Sequence, residues 1–177
     1  MLSDLSGSQN IVWQTGSLSD FRQAVLPQID EAASAGHRVI YIHFSNCEVM
    51  FENDPRIQTR TINLSHRFEA FTVDVYNVLN ESGSGILYLF DALSALQTAW
   101  ATDLMMENFF SVITPMIIKY NNSAFFPLLR GRHSLAACEN IKKKTTGFIE
   151  IYSDFKNLYI KPLKLPDHSE ADILMPY

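Results

Sequence analysis

Apolar residues along this chain switch between two periods, and the switches mark its elements. Ile11-Val12-Trp13 is a short apolar run that ends at Thr15-Gly16. Ser17-Leu18-Ser19-Asp20 then offers N-cap chemistry. Phe21, Val25, Ile29 and Ala32-Ala33 follow at helical spacing, closed by Gly36. Pro27 inside this stretch predicts a kink or a late helix start. Arg38 to Phe44 (RVIYIHF) is β-branched and aromatic and predicts a strand, while residues 45–65 are polar and read as irregular. Phe68, Phe71, Val75, Val78 and Leu79 restore the helical period until Gly83-Ser84-Gly85. Ile86 to Phe90 (ILYLF) is continuously apolar and ends in Asp91, as a strand covered on both faces would. Residues 102–120 predict a long apolar helix with Pro115 near its end, and Ala124 to Leu129 a strand. Ser134 to Lys144 predicts a short helix whose last turn carries Lys142-Lys143-Lys144, cations that suit the helix dipole. Phe148 to Tyr152 and Leu158 to Leu165 flank Ser153-Asp154-Phe155-Lys156-Asn157 as a hairpin.

Strands therefore alternate with helices four times before the hairpin. That order predicts an α/β fold of right-handed βαβ units, with a mostly parallel sheet and an antiparallel edge. Ligands of such sheets bind outside the carboxyl ends of the strands, here Gly16, Ser45, Asp91 and Arg130. The 177 residues amount to one domain, taken as 1–165. Residues 1–10 are polar and read as frayed, and 166–177 read as a polar tail or linker leading out of the domain.

Charge and cysteines narrow the function. A net charge of −5 argues against a general nucleic-acid binder, whose affinity rests on Lys and Arg neutralising phosphates. Cys47 and Cys138 have no close second cysteine and read as reduced thiols. No basic start followed by an apolar run marks a signal peptide. The richest apolar region, Leu104 to Ile118, is broken by Glu107, Asn108 and Pro115. The expectation is a cytoplasmic protein with no membrane contact.

The ordered set GHRVIYIHF, ILYLFD with ALSAL, and GFIEIY with LYIKPLKL resembles the RecA-like core of KaiC-type P-loop ATPases over about residues 10–165. The resemblance implies three layers, a mostly parallel sheet flanked by helices, with a C-terminal β-hairpin at the sheet edge. In that family the first βα turn carries GxxxxGK[ST], whose glycines admit phosphate to backbone N–H groups, whose lysine reaches the β/γ-phosphates and whose hydroxyl holds Mg²⁺. Starting from Gly16, this chain reads Gly16-Ser17-Leu18-Ser19-Asp20-Phe21-Arg22-Gln23. Phe21 replaces the second glycine, Arg22 the lysine and Gln23 the hydroxyl. Asp20 adds a like charge beside the phosphates, a repulsion of about 4 kcal/mol at ~4 Å and an effective dielectric of ~20.

The water-polarising acid after the family's second strand is replaced by Ser45-Asn46, with Glu48 two residues on. Lys161 matches one trans-acting basic position, and Leu163 stands where a second would be. Asp91 keeps the Walker B-like aspartate. The resemblance thus implies a degenerate Walker A, a pseudo-ATPase that disfavours ATP and Mg²⁺, and a role through a protein partner or self-association.

Other residues carry a bland reading beside a functional one. Asp91 could hold a metal-bound water, but with the partner loop missing it reads as capping a turn or pairing with a neighbouring base. Arg130, Arg132 and His133 surround Gly131 at a strand end and could clamp an anion or an acidic partner segment, or form a solvated turn. His37 and His43 read as structural histidines, and no spacing supports a metal site. Ser134 beside His133 is adjacency without geometry, so no Ser–His–Asp set is argued. Three readings remain: a non-hydrolysing module with a regulatory, docking or assembly role, possibly part of a larger protein; a divergent ATPase using Arg22 and Glu48; and a binder of another anion at the strand ends.

Overall fold

The computed structural model describes residues 7–65, 67–154, 156–165 and 174–177. Among the described residues eight strands form one sheet: β1 (Asn10–Thr15), β2 (Arg38–Phe44), β3 (Ile57–Ile62), β4 (Ile86–Phe90), β5 (Ser123–Leu129), β6 (Gly147–Ser153), β7 (Leu158–Lys164) and β8 (Met175–Pro176). Their order is β3-β2-β4-β5-β1-β6-β7-β8. The first six run parallel, while β7 pairs antiparallel with β6 and β8 with β7. Five helices accompany the sheet among the described residues: α1 (Leu18–Ser34), α2 (Phe68–Ser82), α3 (Ser94–Ala99), α4 (Asp103–Lys119) and α5 (Leu135–Lys144).

Alternation along the strands sorts the core in two, because successive side chains point to opposite faces. Trp13, Tyr41, Leu89, Phe125 and Ile149 face α1, which buries Phe21, Val25 and Ile29 against them. Val12, Ile42, Phe90, Phe126 and Phe148 face α2, α4 and α5. Phe90 stacks on Phe126 at 4.5 Å between centroids, and Phe109 meets Phe90 edge-on. Burying a Phe or Leu side chain contributes roughly 1.5–3 kcal/mol, so two doubly covered faces supply most of the stabilisation.

Three sequence expectations change. Residues 45–65 are not wholly irregular, since β3 lies among them at the sheet edge. Its polar face is exposed and only Ile62 is buried, so apolar alternation is missing from IQTRTI. The helix around Pro27 starts at Leu18, not late, and runs on to Ser34. Pro27 and Gln23, the residue whose carbonyl loses its partner, both lie on the exposed face, where water can accept the role. Residues 166–173 of the polar tail, like residues 1–6, lie outside the described residues. Its last four residues come back to the sheet, where Tyr177 donates its N–H to Leu158 O and its hydroxyl to Ala24 O.

Strands β4 and β5 part before their carboxyl ends. β5 pairs with β4 only as far as Phe125 but stays beside β1 through Leu129. Pro127, which has no N–H to donate, sits where the two have separated, and its carbonyl accepts from Leu93 N at 3.3 Å. The start of α3 fills the gap, with Leu129 N donating to Ser94 Oγ at 2.9 Å.

Phe90→Ala should lower stability by about 3–5 kcal/mol, read as the urea midpoint at constant slope. Leu135→Ala, at a side chain 87% exposed, should stay within about 0.5 kcal/mol.

Candidate functional site

The carboxyl ends of β1, β2, β4 and β5 gather every strand-end residue singled out from the sequence. Between β1 and α1 the connection is two residues, Gly16 and Ser17. Thr15 Oγ1 donates to Ser17 O at 2.8 Å and accepts from Ser17 N, which folds the turn onto itself. Ser17 then caps α1 by accepting from Asp20 N at 3.1 Å. The residues that a phosphate loop would need in open conformation are thus the first helical turns. Phe21 is fully buried, edge-on to Trp13 at 6.5 Å, and its N–H is spent on Ser17 O. Asp20 accepts from Ser153 Oγ, and Arg22 and Gln23 are exposed. Gly16 does not adopt a left-handed φ and a Cβ there would touch nothing within 4 Å, so nothing in the turn requires glycine.

Asp91 is 2% exposed and fully engaged. Its Oδ1 accepts from Tyr41 OH at 2.6 Å; its Oδ2 accepts from Phe44 N at 2.8 Å and lies 2.9 Å from His43 Nδ1. A carboxylate can only accept, so His43 carries its proton on Nδ1 here. Burial lifts the Asp91 carboxyl above its ordinary range, against these bonds. Burial and the neighbouring carboxylate push the Tyr41 phenol far up. The cluster ties β4 to β2 and, through Met50 N donating to Tyr41 OH, to the β2–β3 connection. Ser45 is likewise structural, accepting from Leu64 N, and Asn46 takes a left-handed φ of 69° that Asn tolerates.

The arginines separate. Arg130 lies over the Tyr152 ring at 4.1 Å and donates to Ile151 O at 2.9 Å. Arg132 lines a cavity of about 150 Å³ with Ser94, Asp91, Cys47, Glu48 and Thr98. Arg22 and Glu48 line a more open cleft of about 530 Å³ between α1 and the β2–β3 connection. Lys161 sits on β7 across from Glu150. Among the described residues no group of three His, Cys, Asp or Glu side chains is placed to hold a metal ion.

No protein-family model matches this chain, and no curated protein matches it.

The structure brings together a set that spacing hid. His133 Nε2 lies 3.0 Å from Ser94 Oγ, and His133 Nδ1 lies 3.4 Å from Asp103 Oδ1. Asp103 also accepts from Ser134 N at 3.1 Å and Gln97 Nε2 at 2.7 Å. Ser134, with His133 behind it, holds Asp103 below the ordinary carboxylate range. The His133 ring is fully buried, and burial keeps its pKa below the usual 6.5. Ser94 and Asp103 were invisible from sequence, lying 39 and 30 positions from His133.

Asp91→Ala should cost about 3 kcal/mol, since Tyr41 OH, His43 and Phe44 N lose a buried acceptor together. An aspartate held only for a ligand would leave the urea midpoint unmoved. His133 generates a pH dependence with a definite sign. Its native pKa is below its unfolded value, so its stability contribution is present above 6.5 and is lost as pH falls through the native value. Urea midpoints measured from pH 7.5 downward should decline below about pH 6.5, and His133→Gln should flatten that decline.

Proposed function

We propose that this chain is a RecA-like module of three layers that hydrolyses no nucleotide and serves a docking, regulatory or assembly role. It acts through a protein partner or further copies of itself. The observation that carries this reading is Phe21: a benzyl group buried against Trp13 takes the place where backbone would have to open toward a triphosphate. Two others support it. The Walker B-like Asp91 has both oxygens engaged by Tyr41, His43 and Phe44 N. Arg22, the residue in the lysine position, is an exposed side chain of α1 that lines the cleft facing the β2–β3 connection.

The RecA-like part of the reading is supported by the element order, the apolar strand ending in Asp91 and the antiparallel β6–β7 pair. The docking part is supported by exposed apolar side chains on the helices opposite α1, where Leu104 is 65% and Leu135 87% exposed. Free Cys47 and Cys138 fit a reducing compartment such as the cytoplasm.

A fluorescent ATP analogue titrated against the chain with and without Mg²⁺ tests the reading. The expected result is no magnesium-dependent binding and no turnover, unchanged in Arg22→Ala. Tight magnesium-dependent binding with turnover that Arg22→Ala abolishes would establish a divergent ATPase instead.

A further inference from the structure

We propose that Ser94, His133 and Asp103 form a nucleophile relay that cleaves acyl esters in the cavity where β4 and β5 part. The proposal goes beyond the docking role and rests on different residues from those that bear on nucleotide.

A serine hydroxyl has one proton and two lone pairs. At Ser94, Leu129 N takes one lone pair at 2.9 Å, and the proton points to His133 Nε2 at 3.0 Å. One lone pair is left on a residue that lines the cavity. His133 can accept only if its other nitrogen holds the ring proton, and Asp103 enforces that tautomer because a carboxylate has nothing to donate. The 3.4 Å from His133 Nδ1 to Asp103 Oδ1 is long, as such bonds often are before substrate tightens them. Asp103 is itself fixed by Ser134 N and Gln97 Nε2. The base stays neutral at pH 7, as a general base must. Ser94 and His133 are the catalytic residues; Asp103 is a positioning residue.

The site lies outside the carboxyl ends of parallel strands, where open α/β sheets bind ligands. The cavity of about 150 Å³ opens to solvent, so a substrate can enter it from outside. Arg132 stands on its lining together with the carboxylates of Asp91 and Glu48. In the reaction Ser94 Oγ bonds to the acyl carbon while its proton passes to His133 Nε2. The tetrahedral intermediate expels the alcohol, which leaves with that proton. Water then attacks the acyl-serine, gives one proton to His133, and releases the carboxylic acid; His133 returns the proton to Ser94.

Intact-mass spectrometry of the folded chain with diethyl fluorophosphate, followed by peptide mapping, tests the relay. One adduct per chain is expected, on Ser94. His133→Gln should slow labelling at least about 100-fold, the low end of a general base's contribution. Asp103→Asn, which keeps the side chain's shape, should slow it as well and keeps the test open should His133→Gln fail to fold. The wild-type rate should be level above pH 6.5 and fall below it, a profile that a merely structural hydrogen bond would not produce. No adduct, an adduct only elsewhere, or equal rates in wild type and both variants would overturn the proposal.

Discussion

Everything at the carboxyl end of the sheet depends on how α1 is fastened to β1. Thr15 and Ser17 close the turn between them, and Phe21 drops from the first helical turn onto Trp13. That contact is apolar, fully buried and shared with Phe125 on the next strand through Trp13. A ring in this position draws the helix down to the strand end and leaves no slack between them. The cost of opening the junction would be that of exposing a buried Phe, about 1.5–3 kcal/mol or more, together with the Ser17 cap at about 1 kcal/mol.

With the junction shut, the other strand ends take up different work. The two faces of the sheet diverge there. Asp91 follows the alternation of Leu87 and Leu89 toward the α1 side and becomes the acceptor that binds β2 to β4. On the other side of the same strand end, the chain turns into α3 where β5, with Pro127 on that edge, no longer pairs with β4 although it stays beside β1. The gap so made is where Ser94 meets Leu129 N and His133. The opening thus lies where one strand lacks an N–H, and a helix start with a hydroxyl fills it. The polar groups left over are arranged as a chain from Asp103 through His133 to Ser94, ending at a cavity that also holds Arg132.

The strands with continuous apolar runs, β2, β4 and β5, were legible because burial on both faces demands them, α2 because its apolar face recurs at helical spacing, and α4 because it is a long apolar stretch. β3 was not legible: as an edge strand with an exposed face it carries Gln58, Thr59 and Arg60 where a central strand would carry apolar residues. Ser17 as a cap could be read locally, since a cap is a matter of three residues. The fate of Asp91 could not, because its partners come from a neighbouring strand nearly fifty residues away. The same holds for the Ser94–His133–Asp103 array. His133 stood out at a strand end beside Arg130 and Arg132, but nothing in a single sequence distinguishes Ser94 and Asp103 from dozens of others until the fold brings α3, α4 and the β5–α5 turn to one point.

The segment after Gly16 is helix and not an open phosphate loop, and the reading of the whole molecule stands on that difference. ¹³Cα shifts and amide exchange of Leu18 to Gln23, recorded by NMR with and without MgATP, address it most directly. Helical shifts through the segment, protected amides from Phe21 onward, and spectra unchanged by nucleotide are the expected result. Random-coil shifts and rapid exchange there, or helical signals that move in step with added MgATP, would contradict it.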